Sequence, residues 1–280
     1  MANGEKIKDN SLKNEEFKIN TAITDIESNK IVTRGYSQKD LIANISFSDM
    51  VYLLLKGRMP SPKESKMFNH VLVSFCDHGV TSPSTQTSRL IASSGSPLNV
   101  ALSGGLLSFG EKHAGAIEKA MNLFQNSLNN SVCSDLIDFD DFKIKELANN
   151  IVNYYSNNNE KVPGFGHRYH TKDPRGVKLM ELATEEDCIG KHTKLALAIE
   201  KILSEKKGIY INLDGANGAI LSDMGFSSSL GIGMFMIGRI PGIIAHVNEE
   251  ITKKEGFRKF CNIDDISYCG YEDKHLNDEI

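Results

Sequence analysis

Long apolar runs are missing from this chain. Its most apolar uncharged stretch, Met224–Gly238, is 15 residues long, four of them glycine, with Arg239 and Pro241 following at once. That falls short of the roughly 20 residues a membrane-spanning helix needs. Cysteine is sparse and scattered: Cys76, Cys133, Cys188, Cys261 and Cys269, an odd number with no CxxC pair. The pattern argues against a disulfide framework and a structural zinc site, and for reduced thiols in a cytosolic protein. Positive charge is not in excess: 32 Lys and Arg stand against 36 Asp and Glu, with a pI near 6.1. A strongly basic nucleic-acid binder is excluded, though a local basic patch is not. Seven prolines and 23 glycines exclude proline-rich and collagen-like chains. Residues 1–20 have no apolar h-region and do not read as a signal peptide. Internal repeats and strand-like alternation of useful length are absent as well.

What is present is an ordinary globular composition, 40% hydrophobic and 24% charged over 280 residues. A chain of this size forms one or two domains and buries roughly three-quarters of its unfolded surface. The expectation is a soluble, cytoplasmic protein without nucleic-acid or membrane partners.

The periodicity is helical nearly throughout. Residues 1–30 read as a polar tail. Ser37 is a candidate N-cap with Asp40 three residues on, and Ser46 or Ser48 starts a second helix that Gly57 and Pro60 end. Ser61 caps a third, with Pro62 at its first position. Residues 98–124 are helical, and Asn122 to Ser134 reads as an Asn/Ser-rich surface connection. Helical spacing resumes over 142–156, 177–182 and 192–204. Ile209 to Leu213 reads as a short strand or as the entry to another helix. Met234 to His246 is apolar and residues 247–280 are polar. The fold class is all-α.

Eight histidines are too many to interpret by number. Those among small residues are informative, because a backbone without bulk lets a ligand approach. His78 (CDHGVTSPS), His113 (EKHAGA) and His167 (VPGFGHRYHTKDPR) qualify. Asp214, in INLDGANGA, follows an apolar run and precedes small residues. It is either a desolvated base or a carboxylate capping the next helix, and spacing favours neither. Arg239 stands alone in GMFMIGRIPGIIAH. A buried guanidinium there pairs with an internal acid or awaits an anion.

Taken together, VPGFGHR…DPR, KHAGA, and NLDG followed by GRIPGIIAH recur in the order and spacing of the citrate synthase superfamily. TRGYSQKDLIANISFSDMVYLLLKGRMP also resembles that family's N-terminal region, and the similarity runs from about Ile31 to Tyr268. Within it the chain looks closest to the citryl-CoA lyase branch, which includes the C-terminal module of ATP-citrate lyase. SGGLLSFGEKHAGA resembles that module's SGLLTIGDRFGGA block, and IDDISY matches it too. NLDGANGAILSDMG lacks the aromatic residue that usually follows the catalytic aspartate of citrate synthases. His113 stands where the ATP-citrate lyase module has lost its histidine, and the chain is shorter than most synthases.

The resemblance implies an all-α fold: a large domain (31–114 plus 226–280) with a CoA-binding domain (115–225) inserted, closing over its substrate. It implies a homodimer through helices near Leu98–Leu107 and Ser227–Ile237. It implies that Asp214 is the base for acetyl-CoA, that His113 stabilises the enol, and that His167 polarises the oxaloacetate carbonyl. His78, Arg175 and Arg239 would hold carboxylates, Ser84 would lie near the thioester, and Arg258, with Lys259 competing, would be given across the subunit interface. Pro163, Gly164, Phe165, Gly166, Arg168 and Lys172 would hold coenzyme A, a thioester substrate rather than a resident cofactor, and no metal is implied. The chemistry suits such a set. Carbanion formation beside a thioester needs a base and an aimed donor, and three carboxylates need several guanidinium forks. The same groups run backwards cleave citryl-CoA. The alternatives are a citryl-CoA lyase fed by a citryl-CoA synthetase, a citrate or 2-methylcitrate synthase, and an inactive CoA-binding paralogue.

Overall fold

The computed structural model describes residues 19–129, 141–253 and 256–275. They form two units, one ending at Met59 and one beginning at Pro60. Residues 1–18 of the expected tail, Cys133, and the end of the expected 122–134 connection lie outside the described residues.

The first unit opens with a three-stranded antiparallel sheet of β1 (Thr24–Glu27), β2 (Lys30–Thr33) and β3 (Tyr36–Ser37), followed by α1 (Gln38–Asn44) and α2 (Phe47–Lys56). This corrects the reading of residues 1–30 as tail. Strands this short carry no legible alternation, and the turns make the pairing instead. Arg34 (φ 50°) and Gly35 (φ 88°) are both left-handed between β2 and β3, the backbone a tight hairpin requires. The Arg34 guanidinium then donates to the Leu54 carbonyl of α2 at 2.8 Å. Ser37 precedes α1 without a side-chain cap bond, whereas Ser46 and Asp49 form a reciprocal capping box on α2.

The second unit holds nine α-helices among its described residues. They are α3 (Pro62–Phe75), α4 (Pro83–Ser93), α5 (Leu98–Leu107), α6 (Gly115–Asn129), α7 (Asp141–Asn157), α8 (Pro174–Glu185), α9 (Lys191–Lys207), α10 (Leu213–Asp223) and α11 (Gly231–Lys253). Ser61 and Glu64 box the start of α3, as the spacing predicts. Helix α6 runs to Asn129, past the expected start of the connection at Asn122. Ile117, Met121, Phe124 and Leu128 are buried along one face, and that stripe outweighs the Asn/Ser composition. Ile209–Leu213 is not a strand: Ile211 makes one bridge, to Phe165, before α10 begins.

Helix α10 is the centre of one packing group. Every residue from Gly215 to Ser222 is buried, against α6, α8 and α9. Glycine and alanine make that possible: a Cβ on Gly218 would sit 3.2 Å from the Ala120 Cβ of α6. Helix α11 is the spine of the other group, packing on α3, α4 and α5, with Ala92, Ala101, Ile243 and Val247 at its core. It continues through Arg239 and Pro241, and is the one described helix long and apolar enough to cross a membrane. Its inner face buries Arg239 and Glu250 along with Phe235 and Ile243, as a core helix does. The four cysteines among the described residues are free.

The loop before α8 shows how tightly the site is built. Gly164 has φ +85°, and a Cβ there would lie 2.6 Å from the Gly215 Cα of α10 and 3.1 Å from Ala120 Cβ. Left-handed strain and overpacking together make Gly164→Ala costly, on the order of 2–5 kcal/mol. A clear fall in the denaturant midpoint is expected, and an unchanged midpoint would mean that the close approach is dispensable.

Candidate active site

Three helices of the second unit start at one cavity of about 290 Å³. Pro83 opens α4, Asp173 caps α8, and Asn212 caps α10, and all three line it. Helix N-termini carry partial positive charge, so their convergence prepares the cavity for an anion. His78, His113, His167, Asp214, Arg175 and Arg239 complete its wall, with Gly166 and Arg168 at the same rim.

Asp214 sits in the first turn of α10 but does not cap it. Asn212 does, accepting the Gly215 N–H at 3.0 Å while its own amide donates to the Gly166 carbonyl at 2.7 Å. The capping alternative for Asp214 is thereby excluded. Its Oδ1 is buried without a hydrogen-bond partner. Burial pushes its pKa up to about 6; Arg175 opposes this, Asp173 reinforces it, and Arg239 opposes it.

His113 follows α5 in a tight turn in which Gly110 and His113 exchange backbone hydrogen bonds and Ala114 is left-handed. Its Nε2 accepts from the Ser84 backbone N–H at 3.3 Å and lies 2.9 Å from Ser84 Oγ. A backbone N–H can only donate, so the neutral ring carries its proton on Nδ1. Burial, then the charges of Arg239 and Arg168, lower its pKa to about 4. His113 is therefore a neutral donor at pH 7. Ser84 holds the histidine and does not itself line the cavity.

His167 has the opposite tautomer. Its Nδ1 accepts the backbone N–H groups of Tyr169 (3.0 Å) and His170 (3.1 Å), which puts the proton on Nε2. Burial keeps the ring neutral, offset in part by Asp173 at 3.9 Å. His78 stacks on it with ring centroids 5.7 Å apart.

Arg175 and Arg239 supply the positive charge. Asp173, 1% exposed, accepts from the Arg175 backbone N–H, Nε and Nη2, and from the Leu213 N–H at 3.3 Å. That grip leaves Arg175 Nη1 buried and without a partner. Arg239, also 1% exposed, donates its Nε to the Phe75 carbonyl at 2.6 Å and lies over the Phe235 ring. It makes no ion pair among the described residues, and Asp77 and Asp214 act on its charge only through space.

Other expected residues lie elsewhere. Gly164 is a buried packing residue beneath the loop, Phe165 lines a depression that adjoins the cavity at Gly166 and Arg168, and Pro163 lines a separate depression between α6 and α7. Lys172 lies over the Tyr210 ring at 4.1 Å, facing a groove between α8 and α9. Arg258 is outside the cavity of its own chain, donating to Glu250 at 2.6 Å. Asp173, Asn212 and Phe235 had not been singled out from the sequence. An aspartate directly before a proline is a helix-start signal, and it lay unread inside DPR.

A buried carboxylate of raised pKa, two neutral histidines of fixed tautomer and two incompletely paired guanidinium groups form an acid–base site for a polyanion, carried on an all-α fold. The family model described as "Citrate synthase, C-terminal domain" matches residues 15–74 and 60–259, and the chain belongs to the citrate synthase family. It is 30% identical to a citrate synthase of Heyndrickxia coagulans over 223 residues, and 31% identical to a citrate/2-methylcitrate synthase of Bacillus subtilis over 224. Each match covers 78% of this chain but 56% of the relative, so the chain spans about half the length of these curated proteins. The solved citryl-CoA lyase of Hydrogenobacter thermophilus is 37% identical, with a TM-score of 0.82, covering 93% of this chain and 98% of that one.

Proposed function

We propose that the chain is a citryl-CoA lyase, cleaving citryl-CoA to acetyl-CoA and oxaloacetate. The observation that carries this is the pairing of Asp214, poised near pH 6, with the oppositely locked tautomers of His113 and His167 in one cavity. The 37% identity to a solved citryl-CoA lyase, against 30–31% to the two curated synthases, favours cleavage over synthesis.

In cleavage, Arg175 Nη1, Arg239 and His78 bind the carboxylates, and His113 Nδ1–H donates to the thioester oxygen. Asp214 and His167 carry one movable proton between them. Cleavage starts with that proton on Asp214 and His167 as its imidazolate, Nε2 bare, an anion that the two N–H groups on Nδ1 and the nearby Arg175 charge stabilise. The hydroxyl proton moves to Nε2, the carbinol becomes the oxaloacetate carbonyl, and the C–C electron pair passes into the thioester enolate. Asp214 then gives its proton to the methylene carbon, yielding acetyl-CoA. Condensation is the reverse path. Coenzyme A would lie along the Gly166–Arg168 rim. A depression of about 330 Å³ adjoins it there, offering Lys161, Arg168 and Lys207 to phosphates and Val152, Phe165 and Ile209 to the adenine. The inserted-domain arrangement and its closure belong to this reading. So does a homodimer through α5, whose Val100 and Leu107 are exposed (46% and 86%).

The test is oxaloacetate formation from citryl-CoA beside free-thiol release from acetyl-CoA with oxaloacetate. Rapid cleavage without net citrate supports the lyase. Sustained thiol release with citrate accumulating makes the chain a synthase. Activity in neither assay leaves condensation with propionyl-CoA to be assayed, and after it the binding paralogue.

A further inference from the structure

Helix α11 carries a histidine to which this chemistry assigns nothing: His246, at the end of GRIPGIIAH. Arg239, Gly242 and His246 are spaced three and four residues apart, so they share one face of the helix. Each meets a successive residue of the chain leaving α3. Arg239 Nε donates to the Phe75 carbonyl. A Cβ on Gly242 would collide with the Cys76 carbonyl oxygen. His246 Nε2 donates to Asp77 Oδ1 at 3.0 Å.

The residue after that is His78, in the cavity wall. It lies between α3 and a 3-10 turn (Gly79–Thr81), outside regular helix or strand, with φ −145° and ψ 27°. The backbone N–H groups of His78 and Gly79 lie close enough to the Asp77 carboxylate to favour its charged form. Burial would raise the Asp77 pKa, but the His246 hydrogen bond and those two N–H groups outweigh it and hold it below the usual range. The carboxylate is thus a hub: His246 fixes one side, and the backbone N–H groups of His78 and Gly79 face it from the chain that follows.

We propose that His246 is a positioning residue for His78, acting through Asp77. The proposal rests on His78 being a carboxylate ligand of the proposed reaction. It deepens that reading by adding the group that sets where the ligand stands. Helix α11 then controls two of the substrate contacts, one directly through Arg239 and one at second hand through His246.

The test uses the full chain with His246→Ala and His246→Gln; glutamine can return an N–H close to the position of Nε2. Backbone hydrogen exchange at His78 and Gly79 is expected to rise about 10-fold in His246→Ala and return towards wild type in His246→Gln, the size of one charge-assisted hydrogen bond. In steady-state assays KM for citryl-CoA is expected to rise by a similar factor of about 10, with kcat changed less than about threefold, and glutamine is expected to rescue it. If His246→Ala does not fold, Asp77→Asn removes the same charged acceptor, and the same two readouts apply. Unchanged exchange at His78 and Gly79, or equal losses with alanine and glutamine, overturns the proposal. A wild-type chain that turns over neither substrate sinks the functional reading instead, while the exchange measurement still decides the brace.

Discussion

Replacing Asp214 with asparagine is expected to lower turnover about 10³-fold and at the same time to stabilise the protein above pH 6. The first effect follows from the role proposed for it as the proton carrier to carbon, since a positioned acid or base contributes about 10²–10⁴-fold. The second follows from its pKa. In the folded chain the carboxyl titrates near 6, above its unfolded value of 3.8. Between these two pH values the folded state binds the extra proton, so stability falls as pH rises through the interval. The gap of about 2 units corresponds to roughly 3 kcal/mol at most, carried as a burden by the ionised wild type at neutral pH. Asparagine has no such burden. Thermal unfolding at pH 8 should favour Asp214→Asn, and the advantage should close as pH drops from about 6 towards 4. Equal melting temperatures for the two proteins at pH 8 would refute the strained carboxylate. The same titration governs turnover. Cleavage needs the protonated acid and should weaken as pH rises past about 6, whereas condensation needs the base and should strengthen.

The parts of this site that were legible beforehand share one property. His78, His113, His167 and Asp214 stand among glycine, alanine and serine, where the backbone comes close to its neighbours, and the cavity does form at those places. Arg239 was legible for the opposite reason, as one charge in an apolar helix. What composition concealed is relational. Asp173 looks like a loop residue until α8 is seen to start on it and Arg175 to fold back onto its carboxylate. Whether Asp214 caps α10 or faces a substrate was undecidable from spacing, because Asn212 two positions earlier competes for the cap and only the backbone geometry shows that it wins. The sheet at the start of the chain escaped notice because its pairing comes from left-handed turn residues rather than from an apolar face. Arg258 was placed in a site by resemblance, and in its own chain it is an exposed residue that grips the buried Glu250 from one side while Arg89 grips it from the other.

Arg239→Met should separate binding from folding more sharply than any other change to the cavity. The side chain is 1% exposed and has one hydrogen bond, to the Phe75 carbonyl, with no ion pair among the described residues. Desolvation holds its pKa below the ordinary value for arginine, the mark of a charge not repaid by its surroundings. Methionine keeps the length and the contact with Phe235 and removes the charge. The ligand-free protein is therefore expected to melt at the same temperature or higher. Binding should suffer in the opposite sense. Losing one buried fork to a carboxylate typically costs 2–5 kcal/mol, so kcat/KM should fall about 10²–10³-fold or more. A rise in melting temperature is expected when oxaloacetate or citrate is added to the wild type, and it should vanish in the variant. Two neighbours would register the missing charge as well. Asp214 would titrate above about 6, since Arg239 holds it down, and His113 would titrate above about 4, since Arg239 helps to depress it. A variant that unfolds several degrees early yet still gains its full ligand-induced shift would make Arg239 a structural residue. A variant that is stable, silent to the ligand and displaced upward in its pH profile would show the cavity to be an anion site whose stabilising partner is the substrate.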